Sequence, residues 1–163
     1  MMRWPVYKKG LRVAWMLIDE ADLPLVEPYL WRRHTYGYPC RYTTQGGDTI
    51  LLHRHLSGLV EGDGLEADHI NGDVLDNRRS NLRVCTRAQN GQNHRSRAGT
   101  SRYRGVSWNT KREKWVAQGK LNGKVHYLGS FDVEQQAAAV AEAWRVANLP
   151  YTNETRNTVG AIA

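Results

Sequence analysis

Apolar residues in the first half of the chain come in short runs divided by turn residues, which is the spacing of strands rather than long helices. After a short irregular start over residues 1–10, the run Leu11–Leu17 predicts a strand. Asp19-Glu20-Ala21-Asp22, followed by Leu23, Val26 and Leu30, reads as a helix start with acids in its first turn, and Pro28 stops it. Trp31–Arg33 and Tyr36–Tyr42 predict a strand pair turning at Gly37. Arg41–Thr44 and Thr49–Leu52 predict a hairpin around Gln45-Gly46-Gly47-Asp48. Ile50–Leu59 begins as strand and becomes a short helix carrying His53, Arg54 and His55. Leu65–Ile70 is a strand that ends on Asp68 and His69, and Asn71-Gly72-Asp73 is a tight turn. A second strand, Leu82–Cys85, leads to Thr86, which is placed to cap a helix from Arg87 to about Arg95.

The last third has its own pattern. Tyr103–Trp108, Lys114–Leu121 and Val125–Leu128 read as three strands, with Asn122-Gly123 as a hairpin turn between the last two. Asp132-Val133-Glu134-Gln135 has the form of a capping box. Val133, Ala137, Val140, Ala141 and Trp144 share one face of the helix that follows, and Pro150 lies past its end. Tyr127, Leu128 and Phe131 read as core. The small polar stretch Ser96–Ser101 is the natural linker. The domains expected are therefore 1–98, then 99–150, with a tail over 151–163.

Charge adds a partner to this outline. The chain has 23 Lys+Arg against 16 Asp+Glu, net +7 with a pI near 9.6, which favours a polyanion such as nucleic acid. Residues 99–130 hold seven Lys/Arg and one acid, with Tyr103, Trp108, Trp115 and Tyr127 among them. No apolar run approaches the roughly 20 residues of a membrane span, and the start lacks the apolar core of a signal peptide. A soluble, cytoplasmic protein is expected. Cys40 and Cys85 form no CxxC pair, so no thiolate zinc site is expected.

The chemistry concentrates at Asp68-His69. A neutral imidazole takes a proton from water near pH 7. A carboxylate and an amide oxygen from Asn90 could hold a divalent ion, and oxygen donors favour Mg²⁺ or Mn²⁺. Successive strand residues point to opposite faces unless the strand ends there, as the turn after His69 allows. Taken singly, each residue has a plainer use in a turn or a core, and Asn81 reads as a loop-fixing residue.

Glu66-Ala67-Asp68-His69-Ile70-Asn71-Gly72-Asp73, then Asn77-Arg78, Ser80-Asn81-Leu82-Arg83 and Gln89-Asn90, resembles the HNH endonuclease motif, in its phage and intron-encoded homing branch. The resemblance covers roughly residues 11–95. It implies an α+β fold whose N-terminal nuclease domain has the ββα-metal form. It also implies His69 as general base, Asp68 and Asn90 as metal ligands, and Asn81 as the structural Asn of the motif. Asn90 stands where many members have His, and His94, four residues on, is the rival ligand. His53 and Arg54 are secondary candidates for contact with phosphate.

Tyr103-Arg104-Gly105-Val106, Lys114-Trp115-Val116-Ala117 and Tyr127-Leu128-Gly129-Ser130-Phe131-Asp132, with Glu134-Gln135-Gln136-Ala137-Ala138, resemble the Apetala/ethylene-response-factor DNA-binding domain. That resemblance implies a three-stranded antiparallel sheet packed on one helix, with the sheet in the major groove. Arg104, Trp115, Lys120 and Lys124 would face DNA. The expected function is a metal-dependent endonuclease acting on double-stranded DNA, with no small-molecule cofactor and no membrane partner. One active site per chain is consistent with nicking, or with a homodimer that makes a double-strand break. The alternative is a DNA-binding regulator whose nuclease site has decayed.

Overall fold

The computed structural model describes residues 2–43, 47–93 and 99–152. The chain divides into two compact units, Met1–Asn90 and Gly91–Ala163. No helix among the described residues is long and apolar enough to cross a membrane.

The first unit opens with strands, not with an irregular segment. β1 (Met2–Lys8) and β2 (Leu11–Ile18) form an antiparallel hairpin turning at Lys9-Gly10, both at positive φ. Pro5 obscured β1 in the sequence because proline donates nothing to a ladder. It is tolerated here because β1 meets its second neighbour, β3 (Arg32–Arg33), only at Tyr7. β4 (Pro39–Tyr42) and β5 (Thr49–Leu51) complete a five-stranded sheet in the order β2-β1-β3-β4-β5. The helix expected after Asp19 is only a 3-10 turn, Glu20–Asp22, and one turn of α1 (Leu23–Val26).

One sheet face packs on α1 and on α2 (Leu52–Leu56), which follows β5 directly. Val6, Met16, Ile18, Val26, Trp31, Leu52 and Leu56 form that core. β6 (Leu65–His69) and β7 (Leu82–Thr86) form a separate antiparallel pair, followed by α3 (Arg87–Asn90) and a 3-10 turn, Gly91–Asn93. Thr86 and Gln89 cap α3 reciprocally: Gln89 N–H donates to Thr86 Oγ1, and Thr86 N–H donates to Gln89 Oε1. The α-helix is shorter than the sequence pattern implied. The loop between β6 and β7 is fastened to the first sheet. Leu17 exchanges backbone bonds with Leu75 and Asn77 of that loop, and Arg79 forks onto Asp22 at 2.6 and 2.9 Å.

The second unit is a three-stranded antiparallel sheet, β8 (Val106–Asn109), β9 (Lys114–Leu121) and β10 (Lys124–Phe131), in the order β10-β9-β8, with α4 (Glu134–Asn148) packed on it. Tyr103–Gly105 is a turn rather than strand. Asn122 and Gly123 both take positive φ, as a two-residue hairpin turn requires. α4 lies close because Ala137 and Ala141 are small and because Gly119 leaves room for Trp144. A Cβ at Gly119 would sit 2.3 Å from that indole. Asp132 does not cap α4. Val133 occupies the cap position, and Asp132 instead binds Lys114 at 2.9 Å. Tyr127 is 61% exposed, not core. A register shift between Tyr127 and Gly129 turns it to the open face.

Candidate active site

His69 ends β6, opposite Leu82, and is 4% exposed. Its Nε2 lies 3.2 Å from Asn77 Oδ1. The Asn77 amide is oriented by its own Nδ2, which donates to Val74 O at 3.3 Å, so its oxygen faces the imidazole. Nε2 is therefore the protonated nitrogen, and the lone pair sits on Nδ1. Burial holds the His69 pKa below its usual value, against an upward pull from Asn77, Asp68, Asp73 and Asp76. The imidazole is thus neutral at pH 7. Tyr38 and His53 pack beside it, with the His53 ring centre 4.9 Å and the Tyr38 ring centre 5.9 Å from its own. His53 is itself buried, and burial, His69 and Arg54 together push its pKa to about 3. His53 Nδ1 has no hydrogen-bond partner among the described residues.

Asp68 faces a different set of groups. Its cross-strand neighbour is Arg83, whose Nε and Nη2 reach Oδ2 at 2.9 and 2.6 Å. Glu66, two residues before Asp68, is on the same face of β6. Glu66 Oε2 accepts from Asn90 Nδ2 at 2.6 Å, which places the end of α3 over that face. Asp68 and Asn90 are therefore on the face opposite Ala67. Among the described residues, no three His, Cys, Asp or Glu side chains gather closely enough to hold a metal by themselves. The donors present are two carboxylates and an amide oxygen. Such hard donors suit Mg²⁺ or Mn²⁺, and Arg83 is the cation such an ion would have to displace from Asp68.

Asn81 is the knot of the loop. Its Oδ1 accepts from Asn71 N–H at 3.0 Å, and its Nδ2 donates to Asn71 Oδ1 at 3.0 Å and to Asp76 O at 2.7 Å. Arg54, a secondary candidate for phosphate contact, is engaged within the fold. It clips the loop before β6 by donating to Val60 O and Leu65 O, both at 2.8 Å, and approaches Asp63 at 3.5 Å. His94 lies outside the described residues.

In the second unit, alternation sorts the DNA-facing candidates. Trp115, Ala117 and Gly119 face α4, and Trp115 packs on the core beside Trp108, 5.1 Å away. Trp115 is thus corrected from the open face to the helix face. Lys124 pairs with Leu121 in the helix-side row at the hairpin end. Lys120 is on the open face with Gln118, Val125 and Tyr127. Arg104 precedes β8, and its Nη1 donates to Gln92 O at 2.8 Å. Glu66, Asn77 and Arg83 stood in the sequence only as parts of the motif, and neither they nor Tyr38 had been given a role at the site. The strand register, which pairs Asp68 with Arg83, assigns one of them.

Residues 51–92 match the family model described as HNH endonuclease. The chain is 31% identical over 121 residues to the uncharacterized HNH endonuclease L560 of Acanthamoeba polyphaga mimivirus, covering 72% of this chain and 61% of that protein. It is 33% identical over 76 residues to protein 3.8 of Escherichia phage T7, covering 46% of this chain and 63% of that protein. The chain thus spans about three fifths of the length of these curated relatives. No solved structure matches it. The segment from α2 through β6 and β7 to α3, which carries His53, Asp68, His69, Asn81 and Asn90, is the part of the chain that matches the HNH endonuclease model, and the chain has viral relatives.

Proposed function

We propose that the chain is a metal-dependent endonuclease that hydrolyses phosphodiester bonds in double-stranded DNA. The observation that carries this is His69, which is buried, neutral and oriented by Asn77 at the end of a strand inside the HNH match. His69 Nδ1 takes a proton from a water molecule as the water oxygen bonds to phosphorus in line with the leaving 3′ oxygen. The P–O3′ bond breaks and the departing 3′ oxygen takes a proton from solvent water, giving a 5′-phosphate and a 3′-hydroxyl, while His69 returns its proton to solvent. Asp68 and Asn90 would hold a divalent ion, which when bound offsets the negative charge on the phosphate and the leaving oxygen. Asn81 keeps the loop, and with it Asn77, in place. Burial of His69 behind Tyr38 and His53 limits competing bulk water.

The second unit is proposed to hold duplex DNA through its open face, with Lys120 and Tyr127 as contacts and Arg104 and Lys124 at its rim. Its sheet-on-helix form supports the likeness to the Apetala/ethylene-response-factor domain. The viral relatives support a phage or other mobile-element setting and action in the host cytoplasm. A homodimer would pair two such sites for double-strand cutting. The binding-only reading draws on one observation, that Arg83 already neutralises Asp68. A plasmid-nicking assay with Mg²⁺ or Mn²⁺, repeated in chelator, decides between them. Nicking that needs the ion supports the nuclease; DNA binding without nicking supports the regulator.

A further inference from the structure

Residues 1–90 carry twelve Lys/Arg and eleven Asp/Glu, a net charge of only +1. That balance conceals a segregation. The two segments that hold β1 to β4, residues 2–18 and 29–43, contain seven Lys/Arg and no acid at all. All eleven carboxylates lie elsewhere in the unit.

Strand pairing divides these residues between the two faces of the first sheet. Val6, Met16 and Ile18 face the core. The opposite face carries Arg3, Pro5 and Tyr7 by alternation along β1, with Trp15 opposite Pro5 and Arg12 and Arg32 opposite Tyr7. A bulge between Val6 and Tyr7 puts Arg12 and Trp15, three residues apart, on this one face. The Arg12 guanidinium lies 4.5 Å from the Trp15 ring centre. Arg32 lies 5.9 Å from the ring of Tyr42, and Trp15 and Tyr42 are 44% and 49% exposed. The result is an uncovered face of arginines resting on aromatic rings.

We infer that this outer face of the first sheet is a second DNA-binding surface, which grips the sugar–phosphate backbone of a duplex independently of the basic second unit. A single strand would need open ring faces on which to stack its bases. Here the rings are taken by guanidinium groups, so the groups offered outward are fixed N–H forks, which match phosphate. The absence of carboxylates from these strands supplies the charge complementarity. The choice of duplex DNA rests on the nuclease reading above.

The test is fluorescence anisotropy of a labelled duplex with the full chain, in chelator, across a salt series. Arg12→Ala/Arg32→Ala should weaken binding about tenfold at low salt and flatten the slope of log K against log salt by about two, near 0.9 for each phosphate no longer neutralised. Arg12→Lys/Arg32→Lys should keep the slope. If the alanine pair misfolds by circular dichroism, Arg12→Gln/Arg32→Gln replaces it with the same expectation. An unchanged slope and affinity overturns the inference. So does an effect seen only with a single strand of the same length. Because the measurement reads binding in chelator, absence of cutting would remove the nuclease reading and leave this result standing.

Discussion

Asn77 accepts a hydrogen bond from His69 Nε2–H at 3.2 Å and thereby fixes which nitrogen of the imidazole can act as a base. Asn77→Ala removes that constraint while leaving the base in place. Single-turnover nicking should slow by about tenfold or more, short of the roughly 10²–10⁴ expected from losing the base itself. DNA affinity should hold. A rate equal to wild type in a folded Asn77→Ala protein would show that Asn77 does not position His69.

His53 makes the fold sensitive to acid. Its pKa is near 3 in the folded chain against 6.5 when exposed, so between these values the unfolded chain binds more protons. Stability is therefore greatest above about pH 6.5 and is lost as pH falls through the window down to about 3. Thermal melts should show the midpoint dropping from about pH 7 to about pH 5. His53→Gln should reduce that drop without abolishing it, since His69 is shifted in the same direction. An identical pH dependence in His53→Gln would contradict the assignment.

Asn81→Ala removes the partner of Asn71 N–H, which is exposed, and of the C=O of Asp76, which is buried. The cost should be about 1–3 kcal/mol, from the Asp76 carbonyl stranded away from water. Urea melts would read it as a lower midpoint. A change within about 0.5 kcal/mol would mean the loop is held elsewhere, by Arg79 on Asp22 for example.

The face assignment in the second unit separates two residues that the sequence placed together. Lys120→Ala should flatten the salt dependence of DNA binding by about one and barely alter stability. Trp115→Ala should instead lower the melting midpoint, because its ring packs on the Ala117 and Ala137 core. The reverse pattern, stability lost at Lys120 and affinity alone at Trp115, would invert the sheet.

Much of the β6–loop–β7–α3 segment was legible in the chain, because turn chemistry and motif spacing are local. Asn71-Gly72 marked the turn, and Thr86 marked the helix start. What failed depended on partners distant in sequence. β1 was hidden by Pro5, whose missing donor is harmless only where β3 leaves that stretch of β1 unpaired. Asp132 looked like a helix cap, but Lys114, eighteen residues earlier, takes its carboxylate. Tyr127 looked like core until a register shift turned it outward. At the site, Asp68 and His69 were legible as residue types. That Arg83 engages one and Asn77 the other follows from register and loop closure, which alternation alone does not specify.

Whether His69 is the base of a metal-dependent DNA nuclease is tested most directly by single-turnover cleavage of supercoiled plasmid with wild type and His69→Ala. With Mg²⁺ or Mn²⁺ the wild type should nick and His69→Ala should be slower by about 10²–10⁴, with DNA binding retained. Equal rates in the two proteins, or a wild type that binds DNA and never cuts it, would contradict the account.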